Sequence, residues 1–190
     1  MRVDIMVDLE TLGTTTDSTV FQISAAKFDI TTGTVSDTFN LCCDIEKGPV
    51  NASGSTLKWW LKTDKELLSR LLNEGNCSEA EMFAQFHEWL GDCRHKTYFW
   101  GNGISFDNVF VREKFTHFGL TYPISFRNER DVRTILELAA MKAGMSEREF
   151  KKSRVPENPE KHNALSDVLY QVQLVHQCYQ EIMSAKEEKA

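Results

Sequence analysis

Three apolar segments rich in β-forming residues follow one another at the start of the chain, at 2–8, 19–29 and 34–41. A Thr-Thr-Gly turn at 31–33 separates the second segment from the third. Connections this short leave no room for the crossover that a parallel partner strand requires. The three segments therefore predict an antiparallel meander, and any fold of this chain has to be built around it.

The residues beyond this meander show helical patterns interrupted by two short strands, at 97–100 and near 122–126. Alternating strands and helices after an antiparallel start are typical of an α/β fold, with a mixed sheet and helices on its faces. The length of 190 residues suits one compact domain. We predict that this domain covers residues 1–183 and that residues 184–190 form a charged tail.

Helix starts are predicted from short polar residues that precede apolar helical patterns. Thr63 and Ser78 are each followed by Glu three residues later, which completes a capping box. Asp131 and Asn163 are predicted to cap two further helices. The segment 151–161 is polar and carries two prolines, so it is predicted as a loop.

The formal net charge of −6, from 22 basic and 28 acidic residues, argues against a protein that grips nucleic acid by bulk positive charge. It is compatible with a local, metal-mediated grip on phosphate. The five cysteines form no C-x-x-C pair, which favours reduced thiols in a cytoplasmic protein. No signal peptide and no apolar stretch of membrane-spanning length is visible, so no membrane association is expected.

Asp8 and Glu10 form an Asp-x-Glu at the end of the first predicted strand. Side chains two residues apart in a strand point to the same face, so these carboxylates are neighbours. Two adjacent carboxylates repel each other unless a cation lies between them. The pair therefore indicates a metal site, and a solvated strand end is the alternative.

Asp107 and Asp167 are the other candidate metal ligands. Asp107 ends the segment 101–107, whose two glycines indicate a close backbone approach between a strand and a helix. Asp167 borders the apolar face of the last helix, where an acid needs a partner or a metal. The alternatives are a helix cap for Asp107 and an exposed acid favoured by the helix dipole for Asp167.

His162 precedes Asp167 by five residues, which on one helix corresponds to a rotation of about 140°. The two side chains would then not share a face, so His162 is predicted to lie on the loop before the helix. A loop histidine beside carboxylates and a metal can act as a general base. An incidental surface histidine is the alternative.

The segments Asp8-Leu9-Glu10-Thr11 and Ser105-Phe106-Asp107, followed by His162 and Asp167, resemble the DEDD superfamily of 3′–5′ exonucleases, in the branch with a histidine base. Further stretches are similar to a bacterial and phage group of exoribonucleases and exodeoxyribonucleases, which includes prophage exodeoxyribonuclease VIII-like members. The further stretches are 57–61 (LKWWL), 100–107 (WGNGISFD), 130–134 (RDVRT) and 162–167 (HNALSD). The resemblance as a whole spans residues 3–179.

The sequence departs from the superfamily pattern at two positions. Gln22 stands where many relatives carry Glu, which weakens any supporting role for a carboxylate there. Leu12 stands where the superfamily often has a second Thr before Gly13.

The resemblance implies a ribonuclease H-like fold and two divalent cations, Mg²⁺ or Mn²⁺. Asp8 would bridge both cations, and Glu10 and Asp167 would hold the one that binds the attacking water. Asp107 would help to anchor the second cation near the leaving 3′-oxygen, and His162 would take the proton from the water. The substrate would be a 3′ end of single-stranded DNA or RNA, and the product a nucleoside 5′-monophosphate.

Residues around this site are expected to contact the substrate. Of the adjacent Trp59 and Trp60, which point in different directions, one should pack and the other line the groove, and we assign Trp60 to the groove. Basic residues at 151, 152 and 154 are candidates for holding backbone phosphates. A homodimer is compatible with the resemblance. The remaining substrate-binding candidates are Leu12, Gly13, Asn102, Ser105 and Phe106.

Three other functions are compatible with parts of the sequence. They are a catalytically silent nucleic-acid-binding module, a metal-dependent hydrolase of dinucleotides or short oligonucleotides, and an interaction protein with a chance Asp-x-Glu. The presence of all five site residues in order argues against the first and the third. The choice between DNA and RNA stays open, because no residue can be assigned to a 2′-hydroxyl.

Overall fold

The computed structural model describes residues 2–93 and 96–185, so residues 186–190 of the predicted tail lie outside the described part. One mixed sheet has the strand order β3-β2-β1-β4-β5. β1 is antiparallel to β2 and β2 to β3, whereas β4 is parallel to both β1 and β5. The predicted α/β class is confirmed. The strands are β1 (Val3–Thr11), β2 (Val20–Phe28), β3 (Val35–Cys42), β4 (Thr97–Gly101) and β5 (Glu129–Asp131).

Helices cover both faces of this sheet, and short 3-10 turns lie at Ile45–Lys47 and Phe126–Asn128. No helix formed by the described residues combines the length and the apolar character that a membrane crossing needs. The helices are α1 (Gly54–Thr63), α2 (Lys65–Glu74), α3 (Glu79–Leu90), α4 (Asp107–His117), α5 (Val132–Ala143), α6 (Glu147–Arg154) and α7 (Ala164–Met183).

The central strand β1 contributes to two separate cores. Ile5, Val7 and Leu9 pack with apolar residues of α2, α3 and α4 on one face of the sheet. Met6 packs on the opposite face with α5, α6 and α7. Because strand side chains alternate, the next residues on the Met6 face are Asp8 and Glu10. The first core thus forces these two carboxylates toward α7.

Three of the four predicted helix caps are confirmed. Ser78 forms a capping box, Asp131 accepts from the backbone at the start of α5, and Asn163 accepts from the start of α7. Thr63 is a wrong assignment, because it is the last residue of α1. The chain turns at Asp64 instead, and the Asp64 side chain accepts from the Leu67 backbone N–H.

Two predicted segments differ in the structure. The strand expected near 122–126 lies at Glu129–Asp131, because apolar residues of the earlier stretch fill the core. Residues 151–154 of the predicted loop belong to α6, which a second capping box starts at Ser146 and which buries Phe150. The loop that precedes α7 is therefore shorter, at 155–163.

Candidate active site

Polar residues on β1 and α7 have nearly the same spacing along the two elements, so they lie opposite each other in pairs. Asp8 and Glu10 are about 6.6 Å apart along the strand, at ~3.3 Å per residue. Gln171 and Asp167 are about 6 Å apart along one helix face, at ~1.5 Å per residue. Gln171 Nε2 donates to Asp8 Oδ1 at 2.9 Å. The next pair along both elements, Glu10 and Asp167, therefore also meets, together with His162.

All five predicted catalytic residues line one cleft of about 870 Å³. Ligand atoms of Glu10, His162 and Asp167 lie within 4.8 Å of one another. Oxygen atoms from β1, α4 and α7 thus face a common space, next to one imidazole. The residues are Asp8, Glu10, Asp107, His162 and Asp167.

The parallel pairing of β1 and β4 delivers Asp107. Met6 pairs with Trp100, so β4 ends at the level where β1 reaches Asp8. After a short loop, Asp107 begins α4, and the N-cap position is occupied by Phe106, which makes no side-chain capping bond. The alternative that Asp107 serves as the helix cap is therefore not supported.

Backbone contacts hold Asp167 and His162 next to each other. His162 has a φ of 66°, a left-handed conformation that is uncommon for a residue with a side chain. Its backbone N–H donates to Asp167 Oδ2 at 2.9 Å, and Asn158 Nδ2 donates to Oδ1 at 2.6 Å. The carboxylate thus stabilises the turn that aims the imidazole ring into the cleft. The prediction that His162 lies on the loop before the helix is confirmed.

Gln22 ties the start of α7 to the sheet. It is the cross-strand neighbour of Glu10, its side chain is buried, and its Oε1 accepts from the Ala164 backbone N–H at 3.1 Å. Its Nε2 donates to Asn163 Oδ1 at 3.4 Å. The amide therefore serves as donor and acceptor at this position, which a carboxylate of the same size could not do without a proton.

Burial and mutual repulsion raise the pKa values of the carboxyl groups. Desolvation is the main cause at every one of them, and the charges of Asp107 and Asp167 add to it at Asp8. The pKa values of Asp8 and Glu10 are raised well above their ordinary range. The pKa of Asp107 is raised to about 7, and that of Asp167 is raised as well. Without a bound cation, nearby positive charge is therefore too weak to offset the free energy that it costs to ionise these buried acids.

Asp4 on the same face of β1 is a useful contrast. It is also buried, but it accepts from Arg2 at 2.7 and 2.8 Å and from Trp100 Nε1 at 2.8 Å. Among the side chains of the described residues, by contrast, Asp8 accepts a hydrogen bond from the Gln171 amide alone. Asp4 is thus a satisfied structural acid, whereas the Asp8 group retains free oxygen lone pairs.

The donor set fits divalent metal ions. Carboxylate oxygens are the ligands that Mg²⁺ and Mn²⁺ prefer, and a bound cation would lower these raised pKa values by attracting the ionised carboxylates. Gln171 Oε1 is buried beside Asp8 and has no hydrogen-bond partner among the residues that the structure describes, so the site offers one further oxygen. Divalent cations therefore match the site chemically.

Replacing Asp107 by Asn is expected to stabilise the metal-free protein at pH 8. The pKa of the Asp107 carboxyl is raised to about 7 in the folded protein, so folding favours its neutral form. The stability that this gives is fully present below pH ~4 and is lost as the pH rises through about 7. From the pKa of about 7, the free energy of unfolding should increase by up to about 4 kcal/mol in the variant at pH 8. Urea unfolding in EDTA at pH 8 and pH 4 measures this difference.

The gain in the free energy of unfolding should shrink toward zero at pH 4, where the folded parent carries a neutral Asp107 carboxyl and the variant a neutral amide. A variant that is less stable than the parent at pH 8 would contradict the assigned cause. With saturating Mg²⁺ the order should reverse, because the parent alone retains the full set of ligands.

Two of the predicted substrate-binding residues line the cleft. Asn102 is exposed there, and the half-buried Phe106 ring packs on Phe110 with centroids 4.7 Å apart. Ser105 is exposed but is not among the residues that line the cleft, so its contact with substrate stays a prediction.

Three predicted substrate contacts are corrected by the structure. Trp60 is 1% exposed, and its Nε1 donates to the Thr11 carbonyl, whereas Trp59 is 44% exposed. Leu12 is 2% exposed and its N–H donates to Thr19, because the chain after β1 turns inward under the sheet. Gly13 is buried against Ser18. Trp59 is not among the residues that line the cleft, but its ring lies 5.0 Å from that of His162, which does line it.

The sequence interpretation missed several residues of this site. Gln171 carries the clearest signal, because it lies four residues after Asp167 and so shares its helix face. Gln22, Asn158 and Trp59 act through loops and strands that only folding brings together. Arg133 lines the cleft beside Asp107 and lies within the 130–134 stretch, but no pattern there predicted a role for it.

A family model for the 3′–5′ exoribonuclease Rv2179c-like domain matches residues 3–179 of this chain. No curated protein sequence matches it. The family model covers every residue of the candidate site, from β1 to α7.

Solved exonuclease structures share this fold, which confirms the predicted ribonuclease H-like sheet. A zinc-bound E. coli exonuclease I–single-stranded DNA complex has a TM-score of 0.69 at 19% identity, over 96% of this chain and 41% of that chain. Cell-death related nuclease 4 (CRN-4) has a TM-score of 0.66 at 15% identity, over 97% and 65%. S. pombe Pop2p, in its Mg²⁺ and Mn²⁺ bound form, has a TM-score of 0.66 at 11% identity, over 93% and 82%. The chain spans about two fifths of the length of exonuclease I.

Proposed function

The chain belongs to the family of 3′–5′ exoribonuclease Rv2179c-like domains, and we propose that it uses two divalent cations to remove nucleotides from single-stranded 3′ ends. Family membership makes the protein a nuclease of the 3′–5′ exonuclease type. The observation that carries the finer proposal is the convergence of four carboxylates and one histidine in a single cleft. The exoribonuclease family favours RNA as the substrate, with DNA of the same length as the comparison.

The four carboxylates have different positions around the proposed metals. Asp8, whose pKa is raised by burial and by the charges of Asp107 and Asp167, would hold both cations. Glu10 and Asp167, which lie next to His162, would hold one of them, and Asp107 would support the other. Cations bound here would neutralise the scissile phosphate and acidify a water molecule.

His162 is assigned as the general base, as in the histidine branch of the superfamily. Its ring is held by edge contacts with Trp59 and Trp60, at centroid distances of 5.0 and 6.2 Å. Its backbone N–H donates to Asp167, so the residue is joined directly to a proposed metal ligand. An imidazole positioned in this way can accept the proton of an attacking water.

The shape of the site supports an unpaired 3′ end as the substrate. The four carboxylates are buried or half-buried in the cleft, and a terminal nucleotide that reaches them would have to leave a duplex. Phe106 and Asn102 offer a ring and a polar amide for its base and sugar. Trp59, which is 44% exposed and contacts the His162 ring, offers a second aromatic surface.

The test uses RNA and DNA oligonucleotides of one sequence, each labelled at the 5′ end. We expect the label to appear in a ladder that shortens from the 3′ end with Mg²⁺ or Mn²⁺ and that is absent in EDTA. Released nucleosides should carry a 5′-phosphate. A circular oligonucleotide of the same sequence, which has no 3′ end, is the matched control and should stay intact.

Cutting of the circle, or immediate release of a short labelled fragment, would overturn the 3′–5′ exonuclease proposal. Cleavage of dinucleotides without a ladder on longer strands would move the assignment to a hydrolase of short oligonucleotides.

A further inference from the structure

The cleft that holds the carboxylates has a second, positively charged side. Arg133 on α5 and three residues of α6 line it, and we call these four residues the cationic wall. Their charge is concentrated locally, since the whole chain has a formal net charge of −6. Glu147, Glu157 and Lys161 also line the cleft, so its charged lining residues other than the candidate metal ligands carry an excess of three positive charges. The cationic wall consists of Arg133, Arg148, Lys151 and Lys152.

Arg133 is the member of the wall next to the metal ligands. Its guanidinium lies flat against Gly103, where an added Cβ would come within 3.1 to 3.4 Å of the guanidinium carbon and both terminal nitrogens. Gly103 also has a φ of 109°, which other residues rarely adopt. The loop before α4 is thus shaped to leave room for this side chain beside Asp107.

Asp131 fixes the position of Arg133 relative to that loop. Its Oδ1 accepts from the Arg133 backbone N–H at 2.7 Å, and its Oδ2 accepts from the Ile104 backbone N–H at 3.0 Å. One carboxylate therefore joins the start of α5 to the loop that precedes Asp107. The guanidinium keeps a defined place at the metal site even though its tip is exposed to solvent.

The α6 members share one face of their helix. Arg148, Lys151 and Lys152 are three and four residues apart, and the buried Phe150 anchors the opposite face. Within 2–93 and 96–185, no residue of the cationic wall has a carboxylate within 4 Å. Arg154 on the same helix, by contrast, pairs with Glu181 at 2.9 Å and does not line the cleft. Three of the four basic residues of α6 are therefore free to bind an anion.

We propose that the cationic wall binds the backbone phosphates on the 5′ side of the scissile bond, so that the enzyme prefers strands longer than a dinucleotide. This rests on the proposed function, in which Asp107 lies near the departing 3′-oxygen. The retained strand begins at that oxygen, and Arg133 is the first cation beyond Asp107. A planar guanidinium suits a phosphodiester, and the α6 residues continue the same positive path.

The test measures how affinity depends on strand length. Unlabelled RNA with a 5′-hydroxyl, of two, four or eight nucleotides, competes with a fluorescent octamer in Ca²⁺, and anisotropy reports binding. A dinucleotide of this kind has the scissile phosphate alone. In the Arg133→Met, Lys152→Met double variant, octamer affinity should fall roughly 10-fold or more, because losing even one hydrogen bond between charged groups typically weakens binding by about tenfold. Dinucleotide affinity should change by less than ~2-fold, because neither contact is made there.

Salt dependence gives an independent readout. Two lost phosphate contacts should reduce the slope of log affinity against log salt concentration by about 1.4 for a single strand. Arg154→Met is the control on the same helix and should leave both length and salt dependence unchanged. The single variant Arg133→Lys should keep most of the parent's salt slope, because it retains the positive charge.

Equal losses for dinucleotide and octamer would overturn the proposal, because the residues would then belong to the metal site. An unchanged octamer affinity would overturn it as well. Failure of the exonuclease function itself is a separate result. It would appear as absence of cleavage in the unmodified protein, whatever the anisotropy shows.

Discussion

Replacing Asp8 by Asn is expected to lower kcat for 3′-end removal by at least ~10³-fold, more than the roughly 10–100-fold typical of losing an outer-shell partner of a metal ligand. Asp8 is the carboxylate proposed to hold both cations, and a neutral amide there would be a poor ligand for two of them. Single-turnover cleavage of a labelled octamer measures the loss. Because burial disfavours the Asp8 charge, the metal-free variant should be more stable than the parent at neutral pH.

Asp4→Asn is the matched control, since it makes the same change on the same face of β1. It removes the ion pair with Arg2 and weakens the bond with Trp100, so the protein should lose stability. The folded fraction should retain its kcat, because Asp4 does not line the cleft. If Asp8→Asn retained most of its activity with either metal, the four-carboxylate metal site would be wrong.

His162→Ala is expected to lower kcat by about 10²–10⁴-fold, the range for a lost general acid or base. Stabilisation of the protein by Mg²⁺ should remain, because the four carboxylates are still present. Added imidazole should restore part of the activity, since the space vacated by the ring opens into the cleft. Single-turnover rates with and without imidazole, together with unfolding curves in Mg²⁺, measure these effects.

His117→Ala is the control for this substitution. His117 is exposed at the last residue of α4 and does not line the cleft, so its loss should leave kcat unchanged. If His162→Ala abolished the stabilisation by Mg²⁺, the imidazole would be a metal ligand, and the role of general base would fall.

The carboxylates of β1 illustrate how far local pattern carries. Alternation in a strand places Asp4, Met6, Asp8 and Glu10 on one face, and that much follows from spacing. The alternation does not distinguish Asp4 from Asp8, because both follow apolar neighbours. Arg2 and Trp100 neutralise the first acid, and this pairing depends on β4 lying beside β1.

The adjacent tryptophans illustrate the opposite case. Adjacent helix residues point in different directions, so one of the two had to be buried, but spacing does not say which one. The structure buries Trp60, whose indole N–H finds the Thr11 carbonyl, and leaves Trp59 beside His162. The assignment of Trp60 to the groove was wrong because it depended on how α1 rests on the sheet. The sequence analysis did not predict this helix, although Ser53 caps its start.

The sequence by itself determined the α/β class, the antiparallel start of the sheet and the five residues of the candidate site, because these depend on periodicity, turn chemistry and the order of polar residues along the chain. The structure alone decided which groups meet. The pairing of Asp8 with Gln171, the link from Gln22 to α7, and the placement of Arg133 against Gly103 each join residues far apart in sequence. Such contacts follow from the register of helices on a sheet, which is set by the packing of both cores at once.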